Sequence, residues 1–456
     1  MQKKHNFTIF ILILISIFLS MFGQDAFAWK AKKTLSGKIE TVDTNTQQLW
    51  ALTDSVKRTL DVSPQIGAKE ALVMARKGDL IQAGAWPNPD FEIGGSDKLG
   101  IDDGSGGVDL TQIAVSQPIP LGRVGKQRKL AEARYKAAHQ NLFFQKLMQE
   151  ADTAERFHSL QLMTAKLEQA KEQLTFAKKY QKSDNNNLKK DGDPLVRYLS
   201  PLEQKRLDIM RAFASQTVAS AEGEYSEAMS GFKGLLQLSD MDSAKTEVLT
   251  PVVFEQSLND LLILQEKNHP AIIAAKLEED AAKAGIKLAR SELLPDPTVK
   301  IFGERDFLND SRETFYGASI NFQFPFWDRK KGAITKAKSE AEKVKYDLQT
   351  VKLQLQNRLK QNYLHLGHLI DQAEQYRAEI LGPAKEVFEL TKNAFDAGEV
   401  NVLSIIDANN TYFDAQSRYQ ELLYESWIEF AELRLAAGIS LIGSQVSADD
   451  DTEGKS

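Results

Sequence analysis

The chain has 456 residues, a net charge of −6, 26% charged residues and 42% hydrophobic residues. That length suits two or three ordinary domains or one extended one, and the composition excludes a disordered polymer. The charge gives no electrostatic footprint for nucleic acid. The absence of cysteine excludes disulfides, thiolate metal sites, cysteine nucleophiles and a lipidated N-terminal cysteine.

Residues 1–28 read as a cleavable signal peptide. Lys3 and Lys4 start it, "FTIFILILISIFLSMF" at 7–22 is its apolar segment, and Ala26-Phe27-Ala28 is its cleavage site. The mature chain is expected to begin near Trp29, outside the cytoplasm. Nothing later approaches the ~18 continuous apolar residues of a spanning helix. Residues 29–59 form an N-terminal segment, 60–240 and 241–440 are two copies of one unit, and 441–456 are a polar tail.

The two copies are visible as paired landmarks. "WPNPDFEIGG" at 86–95 returns as "LPDPTVKIFG" at 294–303. Pro64 is matched by Pro270, Pro120 by Pro325, "SPL" at 200–202 by "NVL" at 401–403, and "LLQL" at 235–238 by "AAGI" at 436–439. Each copy runs amphipathic helix, Pro-x-Pro stop, strand, polar loop, strand, very long helix, turn, long helix. The expected strands are Asp90–Ser96 with Gly107–Ile119, and Thr298–Asp306 with Thr314–Phe324. Asp102, Asp103, Asp306 and Asp310 are expected on outer loops.

From Val124 to Lys182 no proline interrupts, which predicts a helix about 90 Å long. Leu160, Met163, Leu167, Ala170, Leu174 and Ala177 step by three and four, a heptad seam. Val344 to Leu359 and Ile405 to Leu422 step similarly. Gly382-Pro383 predicts a kink or break in the long helix of the second copy.

The strands have the ~9–11 residues a tilted strand needs to cross a bilayer. Four strands cannot close a barrel, and an open edge in lipid leaves backbone groups unpaired at several kcal/mol each. Several chains must therefore share one barrel. Two would give about eight strands and three about twelve, and strand count does not choose.

These stretches, with "SQPIPLGRVGKQRKLAEA", "FPFWDRKKGAITKAKSEAE" and "AGEVNVLSIIDANNTYFDAQ", resemble the outer membrane efflux protein family, the TolC superfamily. The resemblance covers roughly 60–440 and is nearest to the CzcC-type heavy-metal cation branch. It implies a mainly α fold with membrane β: a homotrimer with a 12-stranded outer-membrane β-barrel continued by a long periplasmic α-helical barrel. It implies a passive channel and not an enzyme, with no cofactor. Its partners would be a periplasmic membrane-fusion adaptor, an inner-membrane resistance–nodulation–division pump and outer-membrane lipid. The same fold serves drug efflux or type I protein secretion. A periplasmic coiled-coil scaffold without a pore is the alternative of another class.

The resemblance also implies site residues. Gly398, Glu399 and Val400 form the second helix-turn-helix tip, where such channels meet the adaptor. Arg197 stands at the glycine position of the first tip, after an enlarged loop. Asp407 and Glu203 occupy the family's inward acidic positions, and imply a pore gate. Capping is the bland reading for Gly398, and a solvated helix face for the acids. His365 and His368 share a helix face but lack a third ligand, so no metal site is assigned. No motif of a hydrolase, metalloprotease or nucleotide-binding loop appears.

Overall fold

The computed structural model describes residues 48–95, 110–181, 199–239, 244–308 and 311–443. The signal peptide, Asp102, Asp103, Asp310, Arg197 with its loop, and the end of the polar tail lie outside the described residues.

Strand β1 (Gln48–Trp50) opens the described chain and leads to helices α1 (Leu52–Val62) and α2 (Pro64–Gly84). Strands β2 (Asp90–Gly95) and β3 (Leu110–Pro118) follow, then helices α3 (Arg123–Gln181) and α4 (Pro201–Leu236). The second copy repeats the order with β4 (Ala244–Thr246), α5 (Leu258–Asn268), α6 (Pro270–Ser291), β5 (Thr298–Leu308) and β6 (Ser311–Asn321). It ends on α7 (Lys331–Tyr376), a π-turn (Arg377–Leu381), α8 (Gly382–Asp396) and α9 (Val402–Ala437).

The proline landmarks act where the chain turns. Pro64 and Pro270 each stand in the first turn of a helix, where a missing N–H costs nothing. Ser63 and His269 before them are extended, as a residue preceding proline must be. Ser200 and Asn401 start α4 and α9, each accepting a hydrogen bond from the backbone N–H three residues on.

The sheet order is β2-β3-β5-β6, antiparallel throughout. The two hairpins obey one register. Asp90 pairs with Ser116 as Thr298 pairs with Asn321, offsets of 208 and 205. The same offsets turn Phe91–Val115 into Val299–Ile320 and Ile93–Ile113 into Ile301–Ala318, both observed pairs. Strands β1 and β4 pair in parallel, Trp50 opposite Thr246. The Trp50 side chain is buried with Phe157, Leu160, Phe232 and Leu236.

The heptad seams are packing seams. Leu160, Leu167, Ala170 and Ala177 are buried on α3, and Ile405, Ala408, Ala415 and Leu422 on α9. Burying such side chains stabilises by about 1.5–3 kcal/mol each for the larger ones. Near mid-length of α3, Glu150 anchors the end of the second copy. Its carboxylate accepts from Ser440 Oγ at 2.8 Å and from the Leu441 N–H at 2.7 Å. Burial pushes the Glu150 carboxyl above its ordinary range, while these two hydrogen bonds pull the other way.

Two expectations need correction. Gly382-Pro383 does not break the long helix. The chain passes through a five-residue π-turn in which the Gly382 N–H bonds the Arg377 carbonyl. The register gained there puts Pro383 in the first turn of α8, where its missing N–H is not needed. Asp306 is not in a loop either. It lies inside β5 opposite Glu313, because pairing continues to Leu308–Ser311.

On β6, Gly317 faces the Phe302 ring so closely that an added Cβ would overlap it. Gly317→Ala is therefore expected to destabilise the sheet by about 1–3 kcal/mol through overpacking. A lowered temperature of oligomer dissociation in detergent, restored by adding Phe302→Leu, would check this.

Candidate functional site

Two regions carry the candidate functional residues: the sheet and the tips of the helical hairpins. Side chains alternate across a strand, so the register assigns the sheet faces. Phe91, Ile93, Ile113, Val115, Ile301 and Ile320 share one face. Phe91, Ile93 and Ile320 are 64%, 62% and 64% exposed, so nothing in the chain covers that face. The opposite face carries Glu92, Gln112, Ser116, Lys300, Glu304 and Ser319. There Lys300 Nζ reaches across β3 to Glu92 Oε2 at 2.6 Å. An apolar exposed face backed by a wet one is the arrangement of a membrane barrel wall.

Where β6 leaves the sheet, aromatic rings continue in a row. Phe322, Phe324, Phe326 and Trp327 stand with neighbouring centroids 4.9, 5.8 and 6.2 Å apart. Trp327 is 95% exposed and is followed by Asp328, Arg329, Lys330 and Lys331. Aromatic rings beside basic side chains suit the headgroup boundary of a bilayer. Among the described residues no helix is long and apolar enough to cross a membrane.

At the other end of the long helices, α8 stops in a full C-terminal cap. The Glu399 N–H bonds the Ala394 carbonyl at 2.8 Å and the Gly398 N–H bonds the Phe395 carbonyl at 3.0 Å. Gly398 has φ +82°, which glycine adopts without strain. Gly398 and Glu399 are exposed, and Val400 is half-buried against the tip core. That core joins both copies: Ala177 and Tyr180 from α3, Leu207, Met210 and Ala214 from α4, Phe388 and Phe395 from α8, Val402, Ile405 and Ala408 from α9. Tyr180 packs edge-on to Phe395 at 5.3 Å. Lys179 Nζ lies 3.5 Å from Asp396 Oδ2. Burial, then a hydrogen bond to Asp396, pushes the Tyr180 phenol up.

The two acidic candidates differ. Asp407 is exposed on α9 beside buried Ala408, and its carboxylate makes no hydrogen bond or ion pair among the described residues. Glu203 closes a capping box at the start of α4: its Oε2 accepts from the Ser200 N–H at 2.9 Å. That cap was legible as S-x-x-E and gives Glu203 a structural task. The Tyr180–Phe395 and Lys179–Asp396 contacts were not legible, since they join residues more than 200 apart that share no pattern. His365 Nδ1 lies 2.9 Å from Glu429 Oε2. Among the described residues no group of three or more potential ligands forms a metal cluster.

Residues 261–439 match the family model described as outer membrane efflux protein. The cobalt-zinc-cadmium resistance protein CzcC of Cupriavidus metallidurans is 24% identical over 229 residues, 50% of this chain and 54% of that protein. The matched segment thus spans about half the length of that relative. The structure of a membrane protein from Pseudomonas aeruginosa superposes with a TM-score of 0.68 at 15% identity, covering 90% of this chain and 95% of that one. CusC, described in terms of transmembrane channel formation, gives a TM-score of 0.66 at 16% identity over 85% and 92%. The chain thus has the fold of these outer-membrane channels over most of its length, and through residues 261–439 it is an outer membrane efflux protein with a CzcC-like relative.

Proposed function

We propose that this chain is the outer-membrane channel of a tripartite efflux system. It conducts heavy-metal cations passively from a periplasmic adaptor and an inner-membrane pump of the resistance–nodulation–division class to the exterior. The observation that carries this is the two-faced sheet with open edges. Among the described residues β2 and β6 have no strand partner on their outer sides, and lipid does not tolerate such edges. Three copies close them into a 12-stranded barrel whose wet face lines the pore, continued into the periplasm by the long helices. The signal peptide at 1–28 delivers the chain there. Units 60–240 and 241–440 each contribute one hairpin to the wall.

The tip at Gly398, Glu399 and Val400 meets the adaptor, with Arg197 at the corresponding turn of the first copy. Asp407 is the better-supported gate residue, because its carboxylate is exposed and unengaged. Glu203 holds a cap in addition. Three copies of Asp407 around one mouth would raise the local cation concentration. Asp407→Asn is expected to lower the cation-over-anion permeability ratio severalfold, read as a reversal-potential shift in bilayers under a salt gradient.

The cation assignment follows the cobalt, zinc and cadmium in the relative's name. Deleting the gene is expected to sensitise cells to these metals, with rescue by the intact gene. Unchanged metal tolerance with new drug sensitivity, or lost export of a secreted protein, would instead favour the same channel in drug efflux or type I secretion.

A further inference from the structure

The junction between the two copies inside one chain is a template for the junction between chains. Resting on the channel reading above, we infer that β6 of one molecule pairs antiparallel with β2 of a second, in a register fixed by the β3–β5 pairing. The two offsets that convert β2–β3 into β5–β6 also convert the inner junction into the outer one. Val115–Ile301 becomes Ile320 opposite Ile93 of the second copy, and Ser116–Lys300 becomes Asn321 opposite its Glu92. Gln117–Val299 becomes Phe322 opposite its Phe91, and Pro118–Thr298 becomes Gln323 opposite its Asp90.

The chemistry on the two free edges fits. Ile320, Phe322, Phe91 and Ile93 are each more than half exposed, and this register stacks them as aromatic and branched cross-strand pairs on the lipid-facing side. Helix packing points the same way. α6 packs against both α3 and α7, whereas α2 packs on α3 and leaves Leu72 and Ile81 exposed. A second copy's α7 would cover that side of α2 as the chain's own α7 covers α6.

The outer seam also departs from its template in a defined way. Inside the chain, Arg123 Nη2 lies 3.2 Å from Asp296 Oδ2. The counterparts are Asp328 and Asn88, so the ion pair is replaced by a carboxylate facing an amide. The seam between molecules is thus held by apolar pairs, with no counterpart to that ion pair.

The sequence has no cysteine, so introduced cysteines report without background. The Ile119 N–H bonds the Pro297 carbonyl at 2.8 Å. Even-numbered β3 residues therefore sit in non-hydrogen-bonded pairs, with Cα atoms about 4.5 Å apart, within disulfide range. Asn321→Cys with Glu92→Cys, and separately Gln323→Cys with Asp90→Cys, are expected to give reducible covalent multimers when oxidised in isolated outer membranes. Asn321→Cys with Asp90→Cys, out of register by two residues, is expected to leave monomer. Ser116→Cys with Lys300→Cys should close within one chain and lose both thiols to labelling without changing mass. Multimers only from the shifted pair would overturn the register while leaving barrel closure intact. An internal bond without multimers from any pair would overturn the inference and the channel reading with it.

Discussion

Lowering the pH from 7 to 5 is expected to cost the folded chain about 4 kcal/mol of stability, from two buried imidazoles. Burial holds His158 and His269 down at about 4, against an ordinary 6.5, although a hydrogen bond from Gln161 and one to the Leu435 carbonyl oppose the shift. His158 is stacked on Trp427 at 4.7 Å with its Nδ1 2.7 Å from Gln161 Oε1, and its Nε2 is buried without a partner. His269 is fully buried between Phe144 and the end of α9. Below about 6.5 the unfolded chain binds protons that the folded pockets refuse until about 4. The stabilisation is therefore complete above 6.5 and lost as pH falls toward 4, at about 2 kcal/mol per histidine by pH 5. Glu150 works in the opposite sense, because its raised carboxyl takes a proton in the folded state first. One carboxyl offsets two imidazoles only in part. Urea midpoints followed by helical circular dichroism should fall with pH, and His158→Gln or His269→Gln should each remove about half of the slope. A flat profile in the parent chain would contradict the burial account.

Gly438→Ala is expected to cost about 3 kcal/mol. Gly438 ends α9 with φ +75°, and its N–H and that of Ile439 bond the carbonyls of Leu435 and Arg434 at 3.0 and 2.9 Å. A side chain there is strained by about 1–2 kcal/mol. It would also stand 3.0 Å from His269 Cα and Cδ2, an overpacking term of about 1–3 kcal/mol. The first copy closes the same turn with Gln237, at φ 51°, its N–H and that of Leu238 reaching Gly234 and Lys233. Where the second copy has His269 before its proline, the first has Ser63. The smaller neighbour leaves room for a side chain, and the Gln237 amide uses it to bond the Val62 carbonyl at 2.9 Å. His269→Ser should accordingly recover much of the Gly438→Ala loss, while Gln237→Ala should cost under about 1 kcal/mol. Equal losses at the two turns in denaturation would sink the explanation.

This contrast shows what the sequence made legible. The proline landmarks, the Pro-x-Pro strands and the three-four seams were readable because each is a local rule repeated in both copies. The pairing of Gln237 with Gly438 was readable as alignment, but the reason for the glycine was not, since His269 lies far away in sequence. The π-turn was missed for a related reason. Gly382-Pro383 signals a disturbed helix, yet whether the chain breaks or shifts register depends on neighbours that keep it straight. At the tips, Gly398 was legible from its turn chemistry and Glu203 from its capping box. The aromatic contacts of Tyr180, Phe388 and Phe395 that join the two copies follow no spacing. The apolar sheet face was legible as alternation, whereas its exposure needed the structure.

The most direct measurement is the behaviour of the mature protein in carbonate-washed outer membranes, analysed on detergent gels with and without heating. If the exposed apolar strands meet lipid and sister molecules seal their edges, the protein stays in the pellet and runs as an oligomer of three chains that heat reduces to one. Release by carbonate as a soluble single chain, indifferent to heating, would contradict the account.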